Sequence, residues 1–386
     1  MTKIAILSLS LLTIMSGAAV APAIADIVAA FPDSPAILGK LVLSTPALAI
    51  IPVSLITGFL SNKISRKTLI YTGLILYTFG GAGGGFADSI TVLLAMRFIL
   101  GAGVGILMPI SMGIIADIYS GDEKIQTMGF AGAANNLGGV TATILSGFLA
   151  AYHWRASFGV YLLGIIVLIL VALYIPDNKP KSKDSGSDKI KIKNSAGYLM
   201  WGIAIFLLMV VFYTIPINIS LYISQKGLGG SEISGIAISV MNGTAFITGL
   251  VFGKINKLLK RWLPIVLLTV FSISFYLLAS YPMLPVVTIA LMAGGFSMGA
   301  FVPFIMNGVT SLKNETNSAA GTSVVSSFLY AGQFASPLIT DRAALLTTGN
   351  GISNIFLLVS ISMAGLAVIL IIHFASGLFF NIRRTA

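Results

Sequence analysis

Arg97 and Asp26 are charged residues that stand within or at the edge of long apolar stretches, where a charge is costly and often marks function. If the two side chains pair, the guanidinium stabilises the ionised carboxylate, and separating them would favour protonation of Asp26. Such a pair would couple proton binding to a conformational change. Two simpler interpretations stay open: Arg97 extends to water at the membrane rim, and Asp26 is only a solvated helix end.

The sequence lacks the residues that other kinds of site chemistry need. The sequence has no cysteine, so disulfides, thiolate metal sites and thiol nucleophiles are excluded, and its two histidines, His153 and His373, are too few for a zinc site built from histidines. No pair of carboxylates stands in the middle of an apolar stretch. We therefore expect no metal site, no cofactor other than protons as a coupling ion, and no enzyme activity.

Polar side chains inside apolar stretches predict the lining of a cavity, although amides also hold helices together. We expect Asn136, Asn218 and Asn307 to be the strongest of these candidates. The walls would be mainly apolar and without a deep fixed anion, which suits hydrophobic or neutral solutes. The complete set of candidate cavity residues is Asn136, Tyr213, Asn218, Asn242, Asn307, Tyr330 and Gln333.

The elements that must position these residues are membrane-spanning helices. Of the 386 residues, 56% are hydrophobic and only 9% are charged, and the mean hydropathy is +0.98, which excludes an ordinary soluble domain. Uncharged stretches predict twelve spans. They are Ile4–Ala25, Leu41–Asn62, Thr68–Ala87, Phe98–Ala116, Ile125–Trp154, Ala156–Pro176, Asn194–Gln225, Ile233–Gly253, two spans within Trp262–Leu312 that turn at Tyr281 and Pro282, Thr316–Thr340 and Ala343–Ile382.

A polar linker rich in Lys, Ser, Asp and Gly divides the chain. We predict a first six-helix bundle over residues 1–176, the linker over 177–195 and a second bundle over 196–386. With a cytoplasmic amino terminus, 18 of the 23 Lys and Arg residues fall on the inside. The positive-inside rule thus predicts a multi-pass protein of the plasma membrane with both termini in the cytoplasm. The same rule explains the net charge of +11, so we expect no nucleic-acid partner.

The two halves repeat each other at an offset of 194 or 195 residues. Gly58 and Arg66 recur as Gly253 and Arg261, and Gly138 recurs as Gly332. The spacing Gly101, Gly105, Pro109 recurs as Gly295, Gly299, Pro303. The expected fold is therefore all-α integral membrane, with twelve helices in two pseudo-symmetric six-helix bundles, an architecture that places a substrate site between the bundles.

The loop after the second span resembles motif A of the major facilitator superfamily (MFS). Gly58, Lys63, Arg66 and Lys67 match Gly-x-x-x-Asp-Arg/Lys-x-Gly-Arg-Arg/Lys, whereas Asn62 replaces the acid and Ser65 the second glycine. The resemblance implies a latch that holds the bundles together on the cytoplasmic side, with Arg66 facing Asp117. Because Asn62 lacks the charge of the acid, we expect a weaker latch. A plain basic turn is the alternative.

Two further segments resemble motifs of the same family. Arg97 before a glycine-rich face resembles motif B, which the family ties to proton coupling. The fifth span resembles motif C, which is associated with antiporters, although Ala142 and Thr143 replace its Gly-Pro pair. Small residues at these places predict close helix packing. The packing residues are Gly101, Gly105, Pro109, Gly129, Gly138, Gly147, Gly332 and Pro337.

The resemblance covers the whole chain. Within the family, the sequence is most similar to the twelve-helix drug:proton antiporter branch. It implies a transporter that works by alternating access, exports a lipophilic or neutral small molecule against inward proton movement, and acts as a monomer in the lipid bilayer. Transport of a sugar or another neutral metabolite is the main alternative, because a fold does not fix a function. A membrane sensor of the same fold that transports nothing is a remote alternative.

Overall fold

A computed structural model describes residues 2–61, 63–174, 195–312, 318–347, 349 and 351–375. The described residues form helices, short 3₁₀ segments and turns, without strands. In the described part of the chain, twelve helical segments of 18 residues or more are long enough to cross a membrane. They are α1 (Thr2–Ala30), α2 (Ala36–Leu60), α3 (Arg66–Gly83), α4 (Ile90–Ile118), α5 (Gly121–Tyr152), α6 (Trp154–Tyr174), α7 (Ser195–Gln225), α8 (Ser231–Leu259), α9 (Leu263–Ser280), α10 (Leu284–Thr310), α11 (Ser318–Thr347) and α12 (Ile352–Ala375).

Length and hydropathy alone identify eight spans among the described residues, and one of them, Ser231–Ser280, contains both α8 and α9. The other three helices, α3, α5 and α11, are long enough but less apolar. α3 begins with Arg66 and Lys67, and α5 and α11 are rich in Gly, Ala, Ser and Thr. Helices that face other helices and a cavity need less apolar surface than helices that face lipid.

Glycine contacts show the pseudo-symmetry of the two halves. A Cβ at Gly101 of α4 would lie less than 3.0 Å from the carbonyl oxygen of Pro46 in α2, and one at Gly295 of α10 would lie equally close to that of Met241 in α8. Gly138 and Gly332 meet the carbonyl oxygens of Leu11 and Phe206 in the same way. The facing residues repeat as the glycines do: Met241 follows Pro46 by 195 positions, and Phe206 follows Leu11 by the same number. The repeat therefore preserves the same helix-to-helix contacts in both halves.

α1 is bent by a 3₁₀ turn at Ala21–Ala23, which contains Pro22. Proline donates no backbone hydrogen bond, so carbonyl groups near the bend need other partners. Ser146 of α5 donates to the carbonyl oxygen of Ala19, and Ser220 of α7 donates to that of Pro22 at 2.6 Å. The bend therefore connects α1 to a helix of each half of the chain.

Several predicted boundaries are wrong. The predicted spans begin or end five to eight residues inside the helices at Leu41 of α2, Phe98 of α4 and Gly253 of α8, because the adjacent charged residues indicated helix ends. α1 continues to Ala30, past the predicted end at Ala25, because the chain bends at Pro22 without leaving the helical region. α11 continues to Thr347, so the predicted break between Thr340 and Ala343 does not exist and Asp341 lies inside the helix. The predicted turn at Tyr281 and Pro282 is confirmed. Most of the linker lies outside the described residues, so the domain boundaries stay a prediction.

The bundles meet at one end of the molecule and separate at the other. We call the end that holds the start of α1 and the end of α12 the terminal face, and the end that holds the α1–α2 and α7–α8 turns the opposite face. At the opposite face, a Cβ at Gly147 of α5 would lie 2.9 Å from Cα of Gly235 in α8. Near the terminal face, a Cβ at Gly129 or Gly253 of the same helices would have no neighbour within 4 Å. The space between the bundles therefore widens toward the terminal face.

Candidate functional site

A cavity of about 500 Å³ lies between the two halves, within the range that holds drug-sized ligands. Its walls come from α1, α2, α4 and α5 of the first half and from α7, α8, α10 and α11 of the second. No Asp, Glu, Lys, Arg or His is among the described residues that line it. Five methionines contribute flexible, polarisable side chains, which adapt to ligands of different shapes. They are Met108, Met112, Met209, Met241 and Met298.

Five of the seven candidate cavity residues line this cavity: Asn136, Tyr213, Asn242, Tyr330 and Gln333. Tyr330 donates to Sδ of Met108 at 2.9 Å, and the Gln333 amide lies 3.9 Å from Sδ of Met209. Thioether sulfur is a weak acceptor, so both polar groups retain much of their hydrogen-bonding capacity. Asn135 also lines the cavity, and its buried Oδ1 has no hydrogen-bond partner. The cavity thus combines apolar walls with polar groups that a ligand could engage.

The other two candidates do not line the cavity. Asn218 is fully buried and donates to the carbonyl oxygen of Thr214, one turn earlier in α7, at 2.9 Å. Asn307 is exposed near the terminal end of α10, seven residues beyond the buried Ala300. Both expectations were wrong because an amide in an apolar helix does not reveal which side of the helix it occupies.

Arg97 lies behind the cavity wall and is fully buried. Its Nε donates to the carbonyl oxygen of Val42 at 2.8 Å, and Nη1 and Nη2 donate to Tyr161 Oη and the carbonyl oxygen of Ser16, both at 2.6 Å. These contacts join α4 to α2, α6 and α1. Because Ser16 lines the cavity, Arg97 supports the wall without touching the space itself. The alternative that Arg97 extends to water at the rim is excluded by its burial.

The predicted pair between Asp26 and Arg97 is wrong for this conformation. Asp26 accepts a hydrogen bond from the Ser231 hydroxyl, at the first turn of α8, whereas the three guanidinium nitrogens of Arg97 have other partners. A carboxylate at a helix amino terminus is also favoured by the helix dipole. Asp26 therefore connects the two halves at the opposite face and is more than a solvated helix end.

The predicted latch is only partly within the described residues. Asn62 lies outside them, and of Asp117 only the helical backbone is described. A Cβ at Gly113, one turn before Asp117 in α4, would lie 3.8 Å from Nη1 of Arg66, so Arg66 reaches the end of α4 as expected. Gly58 has no neighbour within 4 Å of an added Cβ, and Lys63 is exposed. Lys67 lies over the ring of Tyr71 and donates to the carbonyl oxygen of Ala172 in α6 at 3.3 Å.

Most of the predicted packing glycines lie against a neighbouring helix. An added Cβ at Gly105 would be 3.2 Å from the carbonyl oxygen of Ile50 in α2. The contacts described above are made by Gly101, Gly138, Gly147 and Gly332. Pro109 and Pro337 lie inside α4 and α11. Gly129 is the exception, because an added Cβ would meet nothing within 4 Å. It lies in the half of α5 where the bundles are apart.

The sequence does not reveal the pair between Lys40 of α2 and Asp341 of α11. Lys40 Nζ and Asp341 Oδ2 are 2.7 Å apart, and the side chains are only 8% and 23% exposed. Both residues lie just outside the predicted spans, where a charge indicates the end of a helix, but the helices continue past them. No cluster of His, Cys, Asp or Glu suited to a metal ion occurs in the part of the chain that the structure describes.

A sequence model described as Major Facilitator Superfamily matches residues 6–337. A relative named Quinolone resistance protein NorA, from Staphylococcus aureus (strain COL), is 26% identical over 363 residues and covers 84% of each chain. A bacterial homologue of the human lysosomal transporter Spinster, solved inward-facing and occupied, has a TM-score of 0.76 at 16% identity and covers 100% of this chain and 96% of its own. A mutant of the nucleoside transporter NupG reaches 0.78 at 12% identity, with 97% and 99% covered. At these identities the two structures show the fold alone.

Proposed function

The chain belongs to the major facilitator superfamily and is a membrane transporter rather than an enzyme, and we propose that it exports a lipophilic, uncharged small molecule by alternating access. The observation that carries this proposal is the cavity between the bundles, which has drug-like volume and no charged side chain among its described lining residues. The likeness to a protein named for quinolone resistance supports export of an organic molecule.

The substrate class follows from the cavity walls. An ion that leaves water for an uncharged cavity loses its hydration without gaining a counter-ion, which costs several kcal/mol even in real proteins. A neutral molecule does not face this cost, and the aromatic and methionine side chains favour apolar surface. The free hydrogen-bonding capacity at Asn135, Tyr330 and Gln333 would select molecules that carry a few polar groups.

The same polar groups favour one second candidate, a neutral polyol such as a sugar. Amides and hydroxyls are the usual partners of substrate hydroxyl groups, and four amides line this cavity. The five methionines and Phe212 favour the lipophilic substrate, because a polyol would leave them against hydroxyl groups. Measured transport of a neutral lipophilic compound and of a sugar distinguishes the two candidate substrate classes.

For orientation and energy we propose that the terminal face is cytoplasmic and that an inward proton gradient drives export. The excess of Lys and Arg on that side supports the orientation. Asp26 supports the coupling, because its hydrogen bond to Ser231 connects the two bundles and must break when the opposite face opens. We propose the monomer as the working unit.

The test is transport by the purified protein in liposomes that contain a pH-sensitive dye. Under an imposed proton gradient, a neutral lipophilic dye, a lipophilic cation of similar size and a sugar are added in turn. The proposal predicts proton movement with the neutral dye and at least about tenfold less with the cation. It also predicts that Asp26→Asn reduces proton movement more than Asp33→Asn, because Asp33 is an exposed acid in the turn that follows α1.

Two outcomes would contradict the proposal. Flux of the sugar without flux of the neutral dye would assign the protein to the second candidate. Flux of the neutral dye without proton movement would keep the substrate class and reject the coupling. Gln333→Leu is the cavity control, because it removes the amide that contacts Met209 and retains the volume.

A further inference from the structure

The buried ion pair between Lys40 and Asp341 joins α2 of the first half to α11 of the second, at the opposite face. Asp341 lies six residues before the end of α11, which corresponds to a depth of about 9 Å at 1.5 Å per residue. Among the acidic residues in the described helices it lies farthest from a helix end. Lys40 is almost as deep, four residues after the start of α2.

The surroundings leave each charge dependent on the other. Oδ1 of Asp341 is buried without a hydrogen-bond partner, so Lys40 supplies its compensation through Oδ2 alone. Arg97 approaches α2 nearby, at Val42, but its three donor groups are occupied. Breaking a buried pair by removing one partner is strongly destabilising, because the remaining charge is buried and uncompensated.

Motion between the bundles must break this pair. α2 and α11 belong to different halves of the chain, and opening the opposite face moves them apart. Once apart, both side chains would reach water and recover hydration. The two charges therefore compensate each other in the conformation described and are compensated by water in the alternate one.

We infer that Lys40 and Asp341 form an electrostatic lock that holds the opposite face closed and so sets the balance between the two conformations of the transport cycle. The inference rests on the proposed alternating access. A variant that keeps one charge would make closure unfavourable and shift the protein toward the conformation that is open at the opposite face. A variant that removes both charges would restore closure, because two apolar side chains can replace a buried pair.

The lock acts through the separation of the two bundles. Both side chains lie on the same side of the cavity, and when they separate they face the same solution. Its effect is on the population of the conformations, which makes it separable from transport itself.

The experiment uses the absence of native cysteine. Spin labels at Asp33→Cys and Lys226→Cys, both exposed at the opposite face in different halves, report the opening of that face. Labels at Gln126→Cys and Lys257→Cys report the terminal face. Distances are measured in lipid nanodiscs without substrate for the otherwise unchanged protein, Lys40→Met, Asp341→Asn and the double variant Lys40→Met/Asp341→Leu.

The lock predicts that each single variant lengthens the distance at the opposite face and shortens the one at the terminal face, with the closed population reduced at least tenfold. The double variant returns both distributions to those of the unchanged protein, which excludes misfolding as the cause. Unchanged distances in both single variants would overturn the inference, and so would a double variant as open as the single ones. Because no substrate is present, failure of the lock leaves the transport proposal intact, and a lack of flux leaves the lock intact.

Discussion

At the scale of single residues, Arg97 shows how a charge can be retained inside a membrane protein without an acidic partner. Its guanidinium is surrounded by two backbone carbonyl oxygens and the Tyr161 hydroxyl, all at hydrogen-bond distance. Hydrogen bonds to a charged group contribute more than neutral ones. The residue fixes α1, α2, α4 and α6 relative to each other directly behind the cavity wall.

Arg97→Met should therefore destabilise the fold. The substitution retains volume but removes the side-chain donor of the Val42 carbonyl group and leaves that of Ser16 with the Tyr161 hydroxyl alone. We expect a loss of about 3 kcal/mol or more, since each hydrogen bond to a charged group contributes roughly 1.5–3 kcal/mol. Thermal unfolding in detergent measures it. Arg155→Met is the control, because Arg155 also donates to two backbone carbonyl oxygens, those of Gly85 and Ala87, but its side chain is 35% exposed. An equal loss in both variants would contradict the role given to Arg97.

Tyr330→Phe should change recognition without changing the fold. It removes one hydroxyl, whose present partner is the weak acceptor Met108 Sδ. For a substrate that accepts a hydrogen bond there, we expect the KM to rise by a factor of about 5–10, which corresponds to about 1 kcal/mol. For an apolar analogue that lacks the acceptor, KM should be unchanged. Equal effects on both compounds would show that the hydroxyl does not contact substrate.

At the scale of helices, the contacts of α4 and α10 depend on the absence of a side chain. The carbonyl oxygens that face Gly101 and Gly295 belong to Pro46 and Met241 in the neighbouring helices, and a helix backbone cannot move aside as a flexible side chain does. Such contacts let two helices approach closely in lipid, where burial of apolar surface gives no advantage.

Gly101→Ala and Gly295→Ala should each lower stability by about 1–3 kcal/mol, the usual cost of overpacking. The matched control is Gly243→Ala in α8, where an added Cβ meets nothing within 4 Å. That substitution should be neutral or slightly stabilising, because Ala favours a helix more than Gly does. The folded fraction after heating, followed by size-exclusion chromatography, distinguishes the three variants. Equal stability of all three would contradict the close packing.

At the scale of the whole molecule, α5 and α8 run antiparallel and carry glycines at both ends. Gly147 meets Gly235 at the opposite face. Gly129 precedes Gly147 by 18 residues and Gly253 follows Gly235 by 18, which is five whole helical turns, so each lies on the same side of its helix as its contacting counterpart. Closing the terminal face would bring Gly129 and Gly253 together.

Gly129→Leu and Gly253→Leu should therefore leave the described conformation stable and slow transport at least tenfold, because closure at the terminal face would place bulky side chains in contact. Gly365→Leu is the control, since it is exposed on α12 and has no neighbour within 4 Å of an added Cβ. Flux in liposomes and the thermal unfolding midpoint are measured together. Normal flux in both variants would contradict the closure.

The sequence was sufficient for the twelve helices, the repeat and most cavity residues, because hydropathy and glycine spacing determine which helices lie close together. It was not sufficient for the partners of charged side chains. Asp26 and Lys40 pair with Ser231 and Asp341, which lie 205 and 301 residues away in the chain. Such contacts depend on how the two halves dock, and a local pattern does not contain that information.

The proposed transport requires that the cavity open alternately to the two sides of the membrane. Thr13→Cys places a single thiol in the cavity wall of a chain without native cysteine. Its reaction with a membrane-impermeant maleimide is followed from each side of oriented vesicles, with and without a neutral lipophilic substrate under a proton gradient. Alternating access predicts reaction from the terminal face at rest, and reaction from both sides during turnover. Reaction from one side only under every condition would contradict alternating access.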